Sequence, residues 1–202
     1  MSKFTRVRTQ ITSKETFCQA LDSMGIKYAL GRGNNYIRAD AAVSIPPQTF
    51  TTPWGKPGEI FGYNGLTLLR AGDGFELGFD GDYRTTAEAA QMIMQQYALT
   101  VVQQAVAERG MQLAEMEMQP DGSIRARVIS YGSQQQAVET TVAADGTVTA
   151  NLTGFNGQGC APVVHQIQQV LGGAVLDEGP NDDWYKDDGS ALWRNDYDQA
   201  GR

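Results

Sequence analysis

The chain has 202 residues, 41% hydrophobic and 19% charged, which is enough for a buried core and too apolar for a disordered polyelectrolyte. No apolar run approaches the roughly 18 residues of a membrane span, and a net charge of −7 argues against bulk nucleic-acid binding, which needs a surplus of Lys and Arg. Cys18, Cys160 and His165 are the whole soft-ligand supply, so neither a zinc site nor any other metal or cofactor is expected.

Met1-Ser2-Lys3-Phe4-Thr5-Arg6-Val7 contains no apolar leader core, so no signal peptide is expected; with two lone cysteines this points to a reducing, cytoplasmic setting. The charge is polarised. Residues 1–38 hold seven basic residues against Glu15 and Asp22, residues 39–175 hold six against thirteen acids, and residues 176–202 hold three against eight. Two solvated, unrelated surfaces are the favoured reading over a contact between the basic beginning and the acidic tail.

Alternation from Phe4 to Ile11 predicts a first strand. Thr12-Ser13-Lys14-Glu15 has capping-box spacing, and Phe17, Ala20, Leu21 and Met24 form a helical stripe that ends at Gly25. Ile26–Leu30 and Tyr36–Ile45 read as strands around the turn-rich Gly31–Asn35. Pro46–Gly65, with four prolines and scattered aromatics, reads as a long packed excursion. Leu66–Arg70 and Phe75–Phe79 read as a hairpin. From Thr86 to Arg109 a wide stripe through Ala90, Ile93, Met94, Tyr97, Ala98, Val101, Val102 and Ala105 predicts the central helix, with its methionines as core filler.

Two hairpins follow with derivable registers. If Pro120-Asp121-Gly122 is a three-residue loop with Gly122 left-handed, Glu117 faces Arg125 and Glu115 faces Arg127. On the other face Met118 meets Ile124, Met116 meets Ala126 and Ala114 meets Val128. Opposed arginines account for the two glutamates better than general acid–base catalysis does. The loop Ala144-Asp145-Gly146 likewise pairs Val142 with Val148 and Val138 with Leu152.

Gly154-Phe155-Asn156-Gly157-Gln158-Gly159-Cys160 then leads into a last helix with Pro162 at its start. Such a turn can offer backbone N–H groups to an anion, which makes Gly157, Gly159 and Cys160 a weak anion-binding candidate. No P-loop Lys-Ser or Lys-Thr follows, and a tight structural turn is favoured. Helical geometry resists a Cys160–His165 dyad, because five positions at about 100° each turn their side chains about 140° apart, so a nucleophilic Cys160 would need a base from elsewhere. The apolar stripe of Val163, Val164, Ile167, Val170 and Leu171 leaves His165 facing solvent. No catalytic residues are assigned. After residue 176 the acids enclose Trp184, Tyr185, Trp193 and Tyr197, which read as partner-binding anchors, since a plain disordered tail seldom carries so many aromatics.

Met1–Thr5, Gln10-Ile11-Thr12, Gln96-Tyr97-Ala98, Gly110 and Gln119–Arg125 resemble the hypothetical chloroplast reading frame thirty-five family over about residues 1–130. Asp145-Gly146 and Thr153-Gly154-Phe155-x-Gly157-x-x-Cys160 resemble a second small bacterial family of unknown function over about 136–174. Members of the two are commonly encoded side by side, often near an AAA-type ATPase. The resemblance therefore implies an ATPase partner and carries over no catalytic residues.

The fold expected is α+β: an antiparallel sheet with two main helices over residues 1–132, a small ββα unit over 133–175, and an acidic aromatic tail over 176–202. The function expected is that of a non-catalytic, cytoplasmic accessory or adaptor subunit binding another protein, with no membrane and no nucleic acid as partner and the oligomeric state open. A cysteine-dependent or anion-binding enzyme centred on Gly154–Cys160 is the alternative, and a nucleic-acid contact through residues 1–38 is a third reading.

Overall fold

The structure, a computed structural model, describes residues 3–7, 10–31, 40–61, 65–79, 83–130, 136–155 and 161–180. Strand β1, Lys3–Val7, leads to helix α1, Lys14–Ser23. The Ser13 hydroxyl caps α1 by accepting the Thr16 N–H at 3.1 Å, so the cap falls one residue later than the Thr12–Glu15 spacing predicts. Thr12 is engaged elsewhere. Its N–H at 3.0 Å and that of Ser13 at 3.3 Å both donate to the phenol oxygen of the fully buried Tyr97. The predicted stripe Phe17, Ala20, Leu21 and Met24 is buried.

Strands β2, Ala29–Leu30, and β3, Ala41–Ile45, are both shorter than the alternation predicts within the described residues. The Pro46–Gly65 stretch contains a hairpin of β4, Gln48–Thr51, and β5, Pro57–Ile60, where composition alone indicated only an excursion. Its register is locked by shape: Phe50 lies over its cross-strand partner Gly58, where a Cβ would come within 2.3 Å of the ring. Strands β6, Leu66–Ala71, and β7, Gly74–Phe79, form the expected hairpin.

Helix α2, Tyr83–Ala107, is the centre of the molecule. Beyond the predicted stripe, Met92, Leu99 and Val106 are also buried, and they project opposite Val101 at about 100° per residue. A helix with apolar residues on opposite sides packs on both, although Glu88 and Gln91 remain exposed. Here α2 touches α1 and β5, and also the strands β8, Met111–Met118, and β10, Ala137–Val142, and the helix α3, Ala161–Leu171. The remaining strands are β9, Ile124–Ser130, β11, Val148–Thr153, and β12, Val175–Pro180.

The fold is α+β, with antiparallel sheets in the orders β12-β1-β11-β10-β9-β8 and β2-β3-β6-β7, beside the β4-β5 pair. The large sheet takes β1, β8 and β9 from residues 1–132, β10 and β11 from 133–175, and β12, which runs into the acidic tail. One expectation is corrected. The first strand of the basic beginning and the first residues of the acidic tail are neighbours, because β1 pairs with β12 and sets Arg6 opposite Asp177 and Thr5 opposite Glu178. The segment between β1 and α1 is tied to β7 at Ile11, whose carbonyl accepts the Phe75 N–H at 2.8 Å.

Both derived registers are found. Met118, Glu117, Met116 and Glu115 face Ile124, Arg125, Ala126 and Arg127. The expected Ala114–Val128 pair is replaced by Leu113–Val128, since a bulge between Leu113 and Glu115 takes up Ala114. In the other hairpin Val142 faces Val148 and Val138 faces Leu152.

Candidate functional site

The weak anion-binding residues Gly157, Gly159 and Cys160 and the partner-binding aromatics Trp184, Tyr185, Trp193 and Tyr197 lie outside the described residues. Around them, Phe155 is buried and His165 is exposed on α3, while Val163, Val164, Ile167 and Leu171 are buried. His165 thus sits on the solvent face, as the helical projection requires.

The partly buried Cys18 lies against Tyr28, whose hydroxyl donates to Asp22 Oδ2 at 3.3 Å. Burial pushes the Cys18 thiol above its ordinary value, and burial together with Cys18 and Asp22 pushes the Tyr28 phenol up to about 12. Both shifts favour the neutral forms, opposite to what an activated thiolate needs. Among the described residues no three His, Cys, Asp or Glu side chains are grouped to hold a metal ion, and no helix is long and apolar enough to cross a membrane.

The large sheet has two unlike faces. Helix α3 lies against β1 and α2 against β8 and β10, and the residues turned that way (Ile124, Ala126, Val128, Val138, Val142, Val148, Ala150, Leu152) are buried. The opposite face carries Glu115 and Glu117 on β8, Arg125 and Arg127 on β9, and Glu139 on β10. These charges, with Ala114 and Met116, line a hollow of ≈ 600 Å³. Arg125 reaches diagonally past its β10 partner Thr141 to pair with Glu139 at 3.2 Å. With side chains 56% and 35% exposed, that pair contributes about 0–1 kcal/mol. Glu117 accepts from the Gln119 amide at 3.3 Å, and among the described residues Glu115 has no ion-pair partner.

Strand β8 ends the sheet, with β9 on one side and no described strand on the other. It leaves two large apolar side chains in water, Leu113 at 41% and Met116 at 38% exposure. A second hollow of ≈ 490 Å³, lined by Ile11, Phe75, Leu77, Met94, Gly173 and Ala174 among others, opens between β7 and the turn before β12.

Gln95 belongs to this region and was not singled out by the sequence. It is buried on α2 and donates to the Gly122 carbonyl at 2.9 Å, with the Val142 carbonyl at 3.5 Å, so one amide ties the helix to both hairpins. The available signal was a Gln pair inside an apolar helix, which periodicity alone treats as a solvent face.

Residues 138–185 match a family described as a protein of unknown function (DUF2997), a stretch that starts in β10 and takes in β11, α3 and β12. None of the curated proteins matches the chain.

Proposed function

We propose that the chain is a non-catalytic accessory or adaptor subunit that binds another protein in the cytoplasm. The observation that carries this reading is the outer edge of β8, which no described strand pairs, with exposed Leu113 and Met116 beside a charged hollow. Unpaired edges and exposed apolar side chains are places where proteins acquire partners. The aromatic residues Trp184, Tyr185, Trp193 and Tyr197 within the acidic tail supply further anchors. The resemblance of residues 1–130 to the chloroplast reading frame thirty-five family supports an AAA-type ATPase as the partner.

The test is co-elution. The full chain is expected to recover a specific protein from native lysate and to co-migrate with the purified ATPase of its own cell on size exclusion. Recovery of no specific partner overturns the adaptor reading; a different partner overturns the ATPase assignment alone. A truncated chain in this experiment should end after Pro180, because a cut at residue 176 also removes strand β12 from the sheet.

A further inference from the structure

Resting on the adaptor reading, we propose that β8 receives a partner's extended segment as a seventh strand, and that this segment carries Lys or Arg at alternate positions with apolar residues between them. The register of β8 dictates that pattern. Glu115 and Glu117 stand on the open face of the sheet, opposite Arg127 and Arg125, and Leu113, Met116 and Met118 stand on the helix face, opposite Val128, Ala126 and Ile124. A strand laid along the free edge therefore meets two carboxylates on one face and apolar side chains on the other.

The carboxylates are available for such a contact. Arg125 turns inward to Glu139, Glu117 is held by a neutral amide, and Glu115 has no ion-pair partner among the described residues. The hollow of ≈ 600 Å³ beside β8, where Glu115, Glu117 and Glu139 outnumber Arg125 and Arg127, leaves room for long basic side chains to cross the edge. Charge also decides against a second copy of the chain. Pairing β8 with another β8 sets Glu115 and Glu117 against each other, and the opposite sheet edge, β12, offers Asp177 and Glu178. Like charges facing each other across strands are destabilising. The glutamates thus discourage edge-to-edge pairing between copies and favour a basic strand at this edge.

The probe is a labelled eight-residue peptide of alternating Lys and Val, titrated into the full chain by fluorescence anisotropy, with amide hydrogen exchange as the second readout. Binding is expected to weaken at least about tenfold, a loss of about 1.4 kcal/mol, in the Glu115→Gln/Glu117→Gln variant. That substitution keeps side-chain shape, and unchanged circular dichroism shows that the fold survives. New protection is expected at the β8 amides, and methylating alternate peptide amides is expected to abolish both signals. Equal binding by a block peptide of four Lys and four Val, equal binding by the variant, or protection away from β8 each overturns the proposal. Partner capture separates the two readings: a variant that still recovers the wild type's partner undiminished removes the β8 site and leaves the adaptor reading, whereas a wild type that recovers none removes the adaptor reading itself.

Discussion

The loops Pro120-Asp121-Gly122 and Ala144-Asp145-Gly146 share three hydrogen bonds of nearly equal length. In each, the glycine N–H donates back to the residue before the loop at 2.9 Å, a ladder bond of 2.8 Å closes the loop, and the aspartate accepts an amide N–H two residues on at 2.9 Å. The glycines sit at φ +80° and +79°, in the left-handed region where L side chains are strained. Their outer strands differ in surroundings, although β9 of the first hairpin buries Ile124, Ala126 and Val128. Val138, Val142, Val148, Ala150 and Leu152 of the second hairpin have no exposure, whereas the first hairpin ends the sheet and leaves Leu113 and Met116 in water. Loop chemistry sets register, and rank within the sheet sets burial.

The largest expected effect separates the two hairpins by burial alone. Leu152→Ala, at a fully buried site, should cost about 2–5 kcal/mol in urea unfolding, and Leu113→Ala should cost less than about 1 kcal/mol. Similar losses at both positions would break the comparison. Next comes the side chain that joins the hairpins. Gln95→Met removes the donor to the Gly122 carbonyl and should cost about 1–3 kcal/mol, with faster amide exchange at both turns. Faster exchange at the 120–122 turn alone would show that the 3.5 Å approach to Val142 contributes nothing.

Gly122→Ala and Gly146→Ala test the opposite claim, that the turns are equivalent. Each should cost about 1–2 kcal/mol through backbone strain. A Cβ at Gly146 would meet Met94 Cβ at an ordinary 3.5 Å and one at Gly122 would meet nothing within 4 Å, so the two losses should agree to within about 0.5 kcal/mol. A larger gap would mean that burial reaches into the loop itself.

These contrasts also mark what could be read in the residues. The pairings of Glu117 with Arg125 and Val138 with Leu152 were legible because a three-residue Asp-Gly loop counts outward by itself. The bulge at Ala114 was not, since nothing local distinguishes Ala114 from a paired residue. The Arg125–Glu139 pair depends on β9 meeting β10 across a linker, and the Arg6–Asp177 opposition joins positions almost a chain length apart. The free edge of β8 was hidden for the same reason, because an edge is a property of strand order and not of the strand. Periodicity found one side of α2 and missed Met92, Leu99 and Gln95, since a helix packed on opposite sides has no single polar face to mark it.

The smallest effect concerns the charge in the exposed loop. Ser123 donates to Asp121 Oδ1 through its hydroxyl at 2.7 Å and its N–H at 2.9 Å, and these bonds hold the carboxyl below its ordinary value, side-chain bond first. A carboxylate depressed in the folded state stabilises above its unfolded value of about 3.9, and that contribution is lost as pH falls through the lower folded value. Asp121→Asn keeps an acceptor oxygen and removes the titration. The gap in urea midpoint between wild type and Asp121→Asn should therefore be flat from about pH 7 to pH 5 and shrink below about pH 4. A gap of the same size at pH 3 and pH 7 would assign the loop's preference to shape alone, and would make the charge irrelevant to a turn that sets the register of the sheet edge.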